Sequence, residues 1–172
     1  MKTVILTSGP RGSGKSTYVE LVQKIHPEVK FISRDQLLME IFGATSLDPY
    51  SGGHECIQKI FLDKLKDILS GEDDLKLIVD FWNGYSITRQ SLIEIFHKYG
   101  AECVVCWQFV LPLDVCLDWF FKKPDVKGYS KYGAIRDYKL YYKEAKLIEK
   151  DGFDAVHYIN PLQLSIPGFP LI

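Results

Sequence analysis

The sequence contains no run of apolar residues that approaches the 18 needed to cross a membrane as a helix. It also lacks an N-terminal segment that combines a basic start, an apolar stretch and a small-residue cleavage site. The first absence argues against a membrane-spanning protein, and the second argues against an exported one. We therefore expect a soluble, intracellular protein of the cytoplasm that has no membrane partner.

Cysteine is scarce, and its spacing does not suit a metal site. Two of the four cysteines, Cys103 and Cys106, lie in a segment whose composition predicts a β-strand. Residues three apart on a strand point to opposite faces of the sheet, so these two thiols cannot bind the same ion. The sequence therefore predicts buried free thiols rather than a metal centre.

Repeats, linkers and low-complexity tracts are also absent. The chain has 172 residues, of which 47% are hydrophobic and 25% are charged. This length is sufficient for one well-buried core and too short for two ordinary domains. We expect residues 1–172 to form a single domain.

A glycine-rich motif stands close to the N-terminus. Residues 9–17 read GPRGSGKST and match the pattern G-x-x-x-x-G-K-[ST] at every position. In this pattern backbone N–H groups converge on phosphate oxygens, the lysine reaches the β- and γ-phosphates, and the hydroxyl residue binds Mg²⁺. The motif predicts that ATP and Mg²⁺ are bound by Gly9, Pro10, Arg11, Gly12, Ser13, Gly14, Lys15, Ser16 and Thr17.

The surroundings of the motif distinguish it from an accidental glycine turn. Residues 3–8 are rich in β-branched side chains, which predicts a buried strand before the motif. Apolar residues recur at helical spacing between 18 and 25, which predicts a helix after it. Strand, glycine loop and helix therefore stand in the order that phosphate binding requires.

The rest of the chain alternates between strand and helix patterns. Five strands are predicted, at residues 3–8, 29–33, 75–81, 103–110 and 155–159. The predicted helices end near Ile25, Gly43, Gly71, Gly100 and Phe121, and a last helix covers residues 134–149. The order βαβααβαβααβ predicts an α/β fold of the P-loop NTPase or kinase type, a parallel sheet with helices on both faces.

Polar residues follow three of the predicted strands. The glycine loop follows the first strand, Arg34 and Asp35 follow the second, and Asp80 lies at the end of the third. In an open parallel sheet, ligands bind outside the carboxyl ends of the strands. We therefore expect these groups to share one rim.

These rim residues suit phosphoryl transfer. Asp35 is the candidate general base, and an acid that merely stabilises a helix dipole is the competing interpretation. Asp80 is predicted to hold a Mg²⁺-bound water, forming the metal site with Ser16, or to orient an arginine. Arg34 and Arg89 are predicted catalytic cations for phosphate oxygens, although Arg89 could instead pair with Asp80.

Positive charge is concentrated in one segment. Residues 119–150 carry nine Lys or Arg and four acids, a charge of +5 in a chain whose net charge is −1. A nucleic acid is one expected partner of such a segment, and a solvated lysine-rich helix face is the alternative. Residues 122–139 are predicted to form a mobile lid. The tyrosines in this region could stack on nucleic-acid bases or belong to the core.

Four stretches of the chain resemble a known enzyme family. The run MKTVILTSGPRGSGKST, FISRD at residues 31–35, VDFWN at 79–83 with Arg89, and DGFD at 151–154 resemble the kinase domain of phage polynucleotide 5′-kinase and its P-loop relatives. The resemblance implies transfer of the γ-phosphate of ATP to a 5′-hydroxyl end of DNA or RNA. It also implies that Lys15 and Ser16 hold phosphate and metal, and that Asp35 is the general base.

The chain departs from this family at three places. Leu38 stands where the family has an arginine that grips the acceptor's phosphate, and Phe81 and Trp82 replace small residues beside the acceptor. The lid arginine of the family is also missing, so its charge is expected to come from one of three cations, Lys122, Lys123 or Arg136.

Three function classes follow from these features. We expect an ATP-dependent kinase that phosphorylates a nucleic-acid hydroxyl, either a 5′ end or a hydroxylated modified base. A kinase for nucleoside monophosphates or other small molecules is the alternative. A nucleotide-dependent switch is the third class, and Asp35 argues against it because a switch needs no carboxylate at an acceptor position.

Overall fold

The computed structural model describes residues 1–43, 45, 53–71, 73–124 and 129–163. Within these ranges the strands are β1 (Lys2–Ser8), β2 (Lys30–Ser33), β3 (Leu75–Asp80), β4 (Cys103–Phe109) and β5 (Ala155–Ile159). The α-helices are α1 (Lys15–Ile25), α2 (Arg34–Phe42), α3 (Gly53–Ser70), α4 (Ser86–Lys98), α5 (Leu113–Phe121) and α6 (Lys131–Glu144). A 3₁₀ helix, Ala145–Lys150, continues α6.

The five strands form one parallel sheet in the order β2-β3-β1-β4-β5. The central strand β1 pairs with β3 on one side and with β4 on the other, so Ile5 lies between Ile78 and Val105. The carboxyl ends of β1, β2 and β3 therefore lie at the same edge of the sheet, as the sequence predicts.

Alternating side chains of the strands build a core on each face of the sheet. Val4 and Leu6 of β1 belong to the cluster formed with α2, α3 and α4, in which Phe61 is fully buried. Ile5 belongs to the opposite cluster, which includes Val19 of α1. Because a strand has a side-chain period of two, one apolar strand can supply both cores. The predicted parallel sheet with helices on both faces is confirmed.

The prediction of the last helix is wrong at both ends. It was expected over residues 134–149, but α6 begins at Lys131 because the Ser130 hydroxyl caps it and accepts from the Gly133 N–H at 3.0 Å. The α-helical pattern ends at Glu144, and the chain then tightens into the 3₁₀ helix. The other predicted elements agree with the structure to within a few residues.

Several predictions concern residues that the structure does not describe. The loop predicted after Gly43 lies largely in residues 46–52, and the middle of the predicted lid lies in residues 125–128. The C-terminal residues 164–172 are also outside the described ranges. Among the helices that the structure describes, none is long and apolar enough to cross a membrane.

Candidate active site

The glycine-rich loop connects β1 to α1 and packs directly against α5. Gly12 has a φ of +75°, and a Cβ at this position would lie 2.0 Å from the carbonyl oxygen of Cys116. Gly14 has a φ of +80° and is the N-cap residue of α1. Both positions require glycine, because an L side chain rarely adopts this backbone conformation and no space exists for a side chain at Gly12.

Lys15 is the first residue of α1 and folds back over the loop. Its Nζ donates to the carbonyl oxygens of Gly9 at 2.8 Å and Pro10 at 3.2 Å. Ser16 and Thr17 follow in the first turn of α1 and are exposed. The loop therefore presents an ammonium group, two hydroxyls and the N-terminus of a helix on one side, a combination that favours anions.

Two adjoining cavities surround the loop. The larger has a volume of about 470 Å³ and is formed by the loop, the start of α1, and the end of α5, including Ser16, Lys122 and Lys123. The smaller has a volume of about 120 Å³ and extends toward Arg34 and Trp82. The residues that line both cavities are Arg11, Lys15, Asp35, Thr45, Asp80 and Tyr129.

Asp35 lies in the first turn of α2, immediately after β2. The N-cap of this helix is Ser33, whose hydroxyl accepts from the Gln36 N–H at 3.5 Å, so Asp35 is not needed as the cap. Desolvation raises the pKa of the Asp35 carboxyl, and the nearby negative charge of Asp80 raises it further. The cations Lys15, Arg34 and Lys123 oppose this shift, in that order. Asp35 is thus a carboxylate with an enhanced affinity for a proton, placed between the two cavities.

Asp80 lies at the end of β3, and Thr7 of β1 fixes its orientation. The Thr7 hydroxyl donates to Asp80 Oδ1 at 2.8 Å. Asp80 is half-buried and lines both cavities, so the predicted rim of glycine loop, Asp35 and Asp80 is assembled as expected. Thr7 is not among the residues predicted from the sequence, although its place near the end of the neighbouring strand was an available signal.

The prediction that Arg89 is a rim cation is wrong. Its side chain is 1% exposed, its Nε is paired with Asp151, and its Nη1 and Nη2 donate to the carbonyl oxygens of Asn83 at 3.1 Å and Glu144 at 3.0 Å. Pairing of Arg89 with Asp80 is also wrong. A buried guanidinium needs this many partners because each unpaired N–H would lose its hydration without compensation. Arg89 therefore joins α4 to the loop after β3 and to the end of α6.

Asn83 is structural as well. It is fully buried, and its Nδ2 donates to the carbonyl oxygens of Thr7 and Phe81, each at 2.8 Å. The side chain therefore fixes the loop after β3 against β1.

The predicted cations after β4 are placed differently from one another. Lys122 and Lys123 line the larger cavity, and Lys122 also forms an ion pair of 2.6 Å with Asp118. Arg136 is exposed on α6 and lines neither of the two cavities, so its contact with the nucleotide stays a prediction. Arg34 lines the smaller cavity, where its Nη2 lies 2.8 Å from Nδ1 of His54.

Three tyrosines of the basic segment are hydrogen-bonded within the fold, Tyr141 in the core and Tyr138 and Tyr142 half-buried. Tyr141 is 4% exposed, and its hydroxyl accepts from the Asn83 N–H at 3.1 Å. The Tyr138 hydroxyl donates to the carbonyl oxygen of Leu111 at 3.0 Å, and the Tyr142 hydroxyl donates to that of Phe109, at the end of β4, at 3.1 Å. Of the tyrosines predicted for stacking, Tyr129 lines both cavities and Tyr132 is 74% exposed.

Asp137 of α6 contacts the glycine loop and is not among the site residues predicted from the sequence. Its Oδ2 accepts from the backbone N–H of Arg11 at 3.1 Å, and its Oδ1 accepts from Nε1 of Trp82 at 3.4 Å. An isolated aspartate in a lysine-rich segment was the available signal, but nothing in the sequence shows which loop it meets.

A third, mainly apolar cavity of about 410 Å³ lies beside the start of α1. Its walls include Trp119 of α5, Tyr18 and Leu21 of α1, and Pro161. The cavity shares Gly14 and Thr17 with the larger phosphate-side cavity.

The cysteines follow the prediction with one exception. Cys103, Cys106 and Cys116 are buried and free, whereas Cys56 is free and exposed on α3. The described residues contain no group of three or more His, Cys, Asp or Glu that could hold a metal ion.

Comparisons with solved structures identify the fold. A chain in the structure of the Pnkp1/Rnl/Hen1 RNA repair complex aligns with a TM-score of 0.72 and 19% identity, covering 84% of this chain and 45% of that one. A chain in a second structure of the Pnkp1/Rnl/Hen1 complex aligns with a TM-score of 0.58 and 21% identity, covering 76% of this chain and 41% of that one. The present chain thus spans less than half of these two. Shikimate kinase from Acinetobacter baumannii in complex with shikimate aligns with a TM-score of 0.58 and 15% identity, covering 93% of this chain and 84% of that one.

These identities are low, so the alignments establish the fold alone, which is the predicted α/β fold of the P-loop NTPase or kinase type. No curated protein sequence matches the chain. The model of one sequence family, described as an AAA domain, matches residues 4–133. This match covers more than half of the sequence and includes the glycine loop, Asp35 and Asp80, and the chain therefore belongs to the AAA domain family.

Proposed function

We propose that the protein is an ATP-dependent kinase that transfers the γ-phosphate to a hydroxyl group of a nucleic acid, either a 5′ end or a hydroxylated base. One observation carries this proposal. Two cavities adjoin at a wall that contains Lys15, Asp35 and Asp80, so a phosphate donor on one side and a hydroxyl acceptor on the other would meet at a carboxylate.

The expected reaction assigns a task to each of these groups. The acceptor oxygen forms a bond to the γ-phosphorus while the bond from that phosphorus to the bridging oxygen of ADP breaks. The hydroxyl proton passes to the carboxylate of Asp35, whose raised pKa makes it a better proton acceptor than an ordinary aspartate. Lys15 and the N–H groups of the glycine loop bind the phosphates and offset the charge on the departing ADP.

Mg²⁺ is implied by this chemistry, and the residues present suit it. Ser16 and Asp80 line the same cavity as the glycine loop, and they would hold the ion, Asp80 through a water molecule. Two protein ligands are sufficient because Mg²⁺ takes most of its ligands from phosphates and water, which agrees with the lack of a larger cluster among the described residues. When bound with ATP, the ion supplies neutralisation of phosphate charge.

The apolar cavity beside α1 is proposed to hold the base of ATP. It shares Gly14 and Thr17 with the phosphate-side cavity, so a nucleotide can extend from one into the other. Trp119 and Pro161 offer apolar ring surfaces in this cavity, and both lie close to Gly14, where a Cβ would lie 2.9 Å from the indole ring and 3.3 Å from the proline ring.

Three features support a nucleic-acid acceptor. Arg34 places positive charge in the smaller, acceptor-side cavity. Trp82, which lines the smaller cavity, is 39% exposed, and Tyr85, which packs against it with ring centroids 5.4 Å apart, is 47% exposed. Exposed aromatic rings of this kind stack on unpaired bases. The alignment with a chain of an RNA repair complex, and the resemblance to phage polynucleotide 5′-kinase, agree with such an acceptor.

A small-molecule acceptor is the second candidate. Its support is the limited volume of the smaller cavity, about 120 Å³, together with the walls formed there by Phe81, Trp82 and Tyr141. Leu38, at the position of the family's phosphate-gripping arginine, is fully buried and cannot contact any acceptor. The alignment with shikimate kinase shows that the same fold accommodates a small-molecule enzyme.

A transfer assay with γ-labelled ATP separates these candidates. The acceptors are a 5′-hydroxyl oligonucleotide, DNA with hydroxymethylated bases, nucleoside monophosphates and small polyols. Lys15→Ala is the control for contaminating kinases. We expect label in a nucleic-acid acceptor, with an apparent affinity for that acceptor that falls steeply as salt increases, by a logarithmic slope of about −0.7 per phosphate contact on a single strand. Label only in small molecules would replace the first candidate by the second, and no label in any acceptor would contradict both.

A further inference from the structure

Two cations lie where the nucleotide-side and acceptor-side cavities meet. Of the six residues that line both cavities, Arg11 and Lys15 are the positively charged ones. The Lys15 ammonium is engaged by two loop carbonyl oxygens. Of the other cations of the cleft, Lys122 lines only the larger cavity and Arg34 only the smaller one. Lys123 lines the larger cavity and a further cavity of about 440 Å³ beside Asp35 and Met39, but not the smaller cavity.

The guanidinium of Arg11 is held by an aromatic ring. Its Cζ lies 4.7 Å from the centroid of the Tyr129 ring, a cation–π contact. The Tyr129 ring in turn packs edge-on against Phe120 of α5, with centroids 5.4 Å apart and an interplanar angle of 77°. Among the described residues the guanidinium has no ion pair, so its N–H groups remain available to a phosphate.

The backbone of Arg11 is fixed independently. The Asp137 carboxylate accepts its N–H at 3.1 Å and also accepts from the Trp82 indole at 3.4 Å. Arg11 is therefore attached to α6 through its backbone and to Tyr129 through its side chain. Fixing both parts sets the position of the guanidinium before a ligand binds, and such preorganisation is what transition-state stabilisation requires.

We propose that the Arg11 guanidinium contacts the γ-phosphoryl group during transfer and is a catalytic residue, with Tyr129 and Asp137 as positioning residues. This inference rests on the proposed kinase function. As the bond from the γ-phosphorus to ADP breaks and the bond to the acceptor oxygen forms, negative charge is spread over the three equatorial oxygens. A cation that lines both cavities can contact the phosphoryl oxygens from the start of the transfer to its end. A cation that lines a single cavity can contact only the donor or only the acceptor. Arg11 thus takes the place that the sequence analysis assigned to Lys122, Lys123 or Arg136.

The first experiment needs no acceptor. ADP binding is measured by calorimetry with and without aluminium fluoride, which mimics the transferring phosphoryl group, in the presence of Mg²⁺. The variants are Arg11→Ala, Arg11→Lys, and Lys24→Ala as a matched control at an exposed position in the last turn of α1. We expect aluminium fluoride to tighten ADP binding in the wild type and in Lys24→Ala, and the tightening to fall by about 10²–10³ in Arg11→Ala, with ADP alone bound equally.

The second experiment measures turnover with the acceptor found for the wild type. Arg11→Ala should lower kcat by about 10²–10³ with little change in KM, and added guanidinium ion should restore part of the rate. Tyr129→Leu should reduce the tightening by aluminium fluoride about two- to fivefold, the range of an exposed cation–π contact, while Tyr129→Phe should retain it. A role of Tyr129 in packing alone would instead lower the melting temperature and leave the tightening unchanged.

The outcomes distinguish this inference from the proposed function. Wild-type protein that binds ADP no more tightly with aluminium fluoride would overturn both. Tightening that is equal in the wild type and in Arg11→Ala would overturn the role of Arg11 and leave the proposed kinase intact. A larger loss of the tightening in Arg136→Ala than in Arg11→Ala would also overturn the role of Arg11 and leave the proposed kinase intact. A thermal melt of each variant shows that any loss occurs in folded protein.

Discussion

Replacement of Arg89 by methionine should destabilise the protein strongly without acting on the phosphates. Arg89 is 1% exposed and its three guanidinium nitrogens contact Asp151, Asn83 and Glu144. The substitution leaves the Asp151 carboxylate, whose side chain is 1% exposed, without its counterion. Breaking a buried ion pair in this way costs about 3–5 kcal/mol of unfolding free energy. For a chain of this size each kcal/mol lowers the melting temperature by about 2–4 °C, so we expect a decrease of about 6–20 °C.

The assay is urea and thermal denaturation of three variants and the wild type. Arg136→Met, which removes an exposed arginine from α6, is the matched control and should change the unfolding free energy by less than about 0.5 kcal/mol. The double variant Arg89→Met with Asp151→Leu should be more stable than Arg89→Met alone, because it removes the uncompensated charge. Normal stability of Arg89→Met, combined with a large loss of phosphoryl transfer, would refute the structural role and restore Arg89 as a catalytic cation.

Three further predictions concern the cleft. Gly12→Ala should abolish binding of a non-hydrolysable ATP analogue in calorimetry, because the new Cβ would lie 2.0 Å from the Cys116 carbonyl oxygen and the φ of +75° adds about 1–2 kcal/mol of strain; normal binding would contradict the loop geometry. Asp80→Asn should move the acid limb of the kcat/KM profile to lower pH. Desolvation and, next in size, the charge of Asp80 raise the pKa of Asp35, so removal of that charge lowers this pKa. Because the base acts only above its pKa, the acid limb follows it to lower pH. An acid limb that stays in place would contradict the electrostatic effect of Asp80 on Asp35. Trp119→Ala should weaken ATP binding by about 1–3 kcal/mol if the base stacks there, and affinity equal to that of the wild type would exclude the apolar cavity as the base site.

Local sequence patterns predicted most of the fold, because the information they carry is itself local. The glycine loop needs residues without a Cβ at fixed spacing, and Gly12 and Gly14 supply positive φ angles where the pattern requires them. Alternating apolar residues in β1 face two helical layers, so the periodicity of a single strand already predicts helices on both faces. The start of α6 at Lys131 was missed because a glycine at 133 and a serine at 130 suggest a loop, although Ser130 is a helix cap.

Predictions that depend on which distant residues meet were less successful. Arg89 could be assigned to phosphates or to Asp80, and its partner, Asp151, lies 62 residues away in sequence. The same holds for Asp137, which reaches Arg11 across 126 residues. Tyr138 and Tyr141 carry the residue type that stacks on bases, yet the fold directs their hydroxyls to buried backbone groups. By contrast, the convergence of Asp35, Asp80 and the glycine loop was predictable because parallel strands end at one edge.

The central claim is that Asp35 accepts a proton from a hydroxyl acceptor while ATP is held by the glycine loop. Its most direct test is a single-turnover measurement of γ-phosphate transfer by Asp35→Asn, paired with calorimetry of a non-hydrolysable ATP analogue. We expect transfer to slow by about 10²–10⁴, the usual contribution of a general base, while the affinity for the analogue stays within about twofold of the wild type. Transfer at the wild-type rate would contradict the account, and equal losses of transfer and nucleotide affinity would make Asp35 a part of the binding site instead.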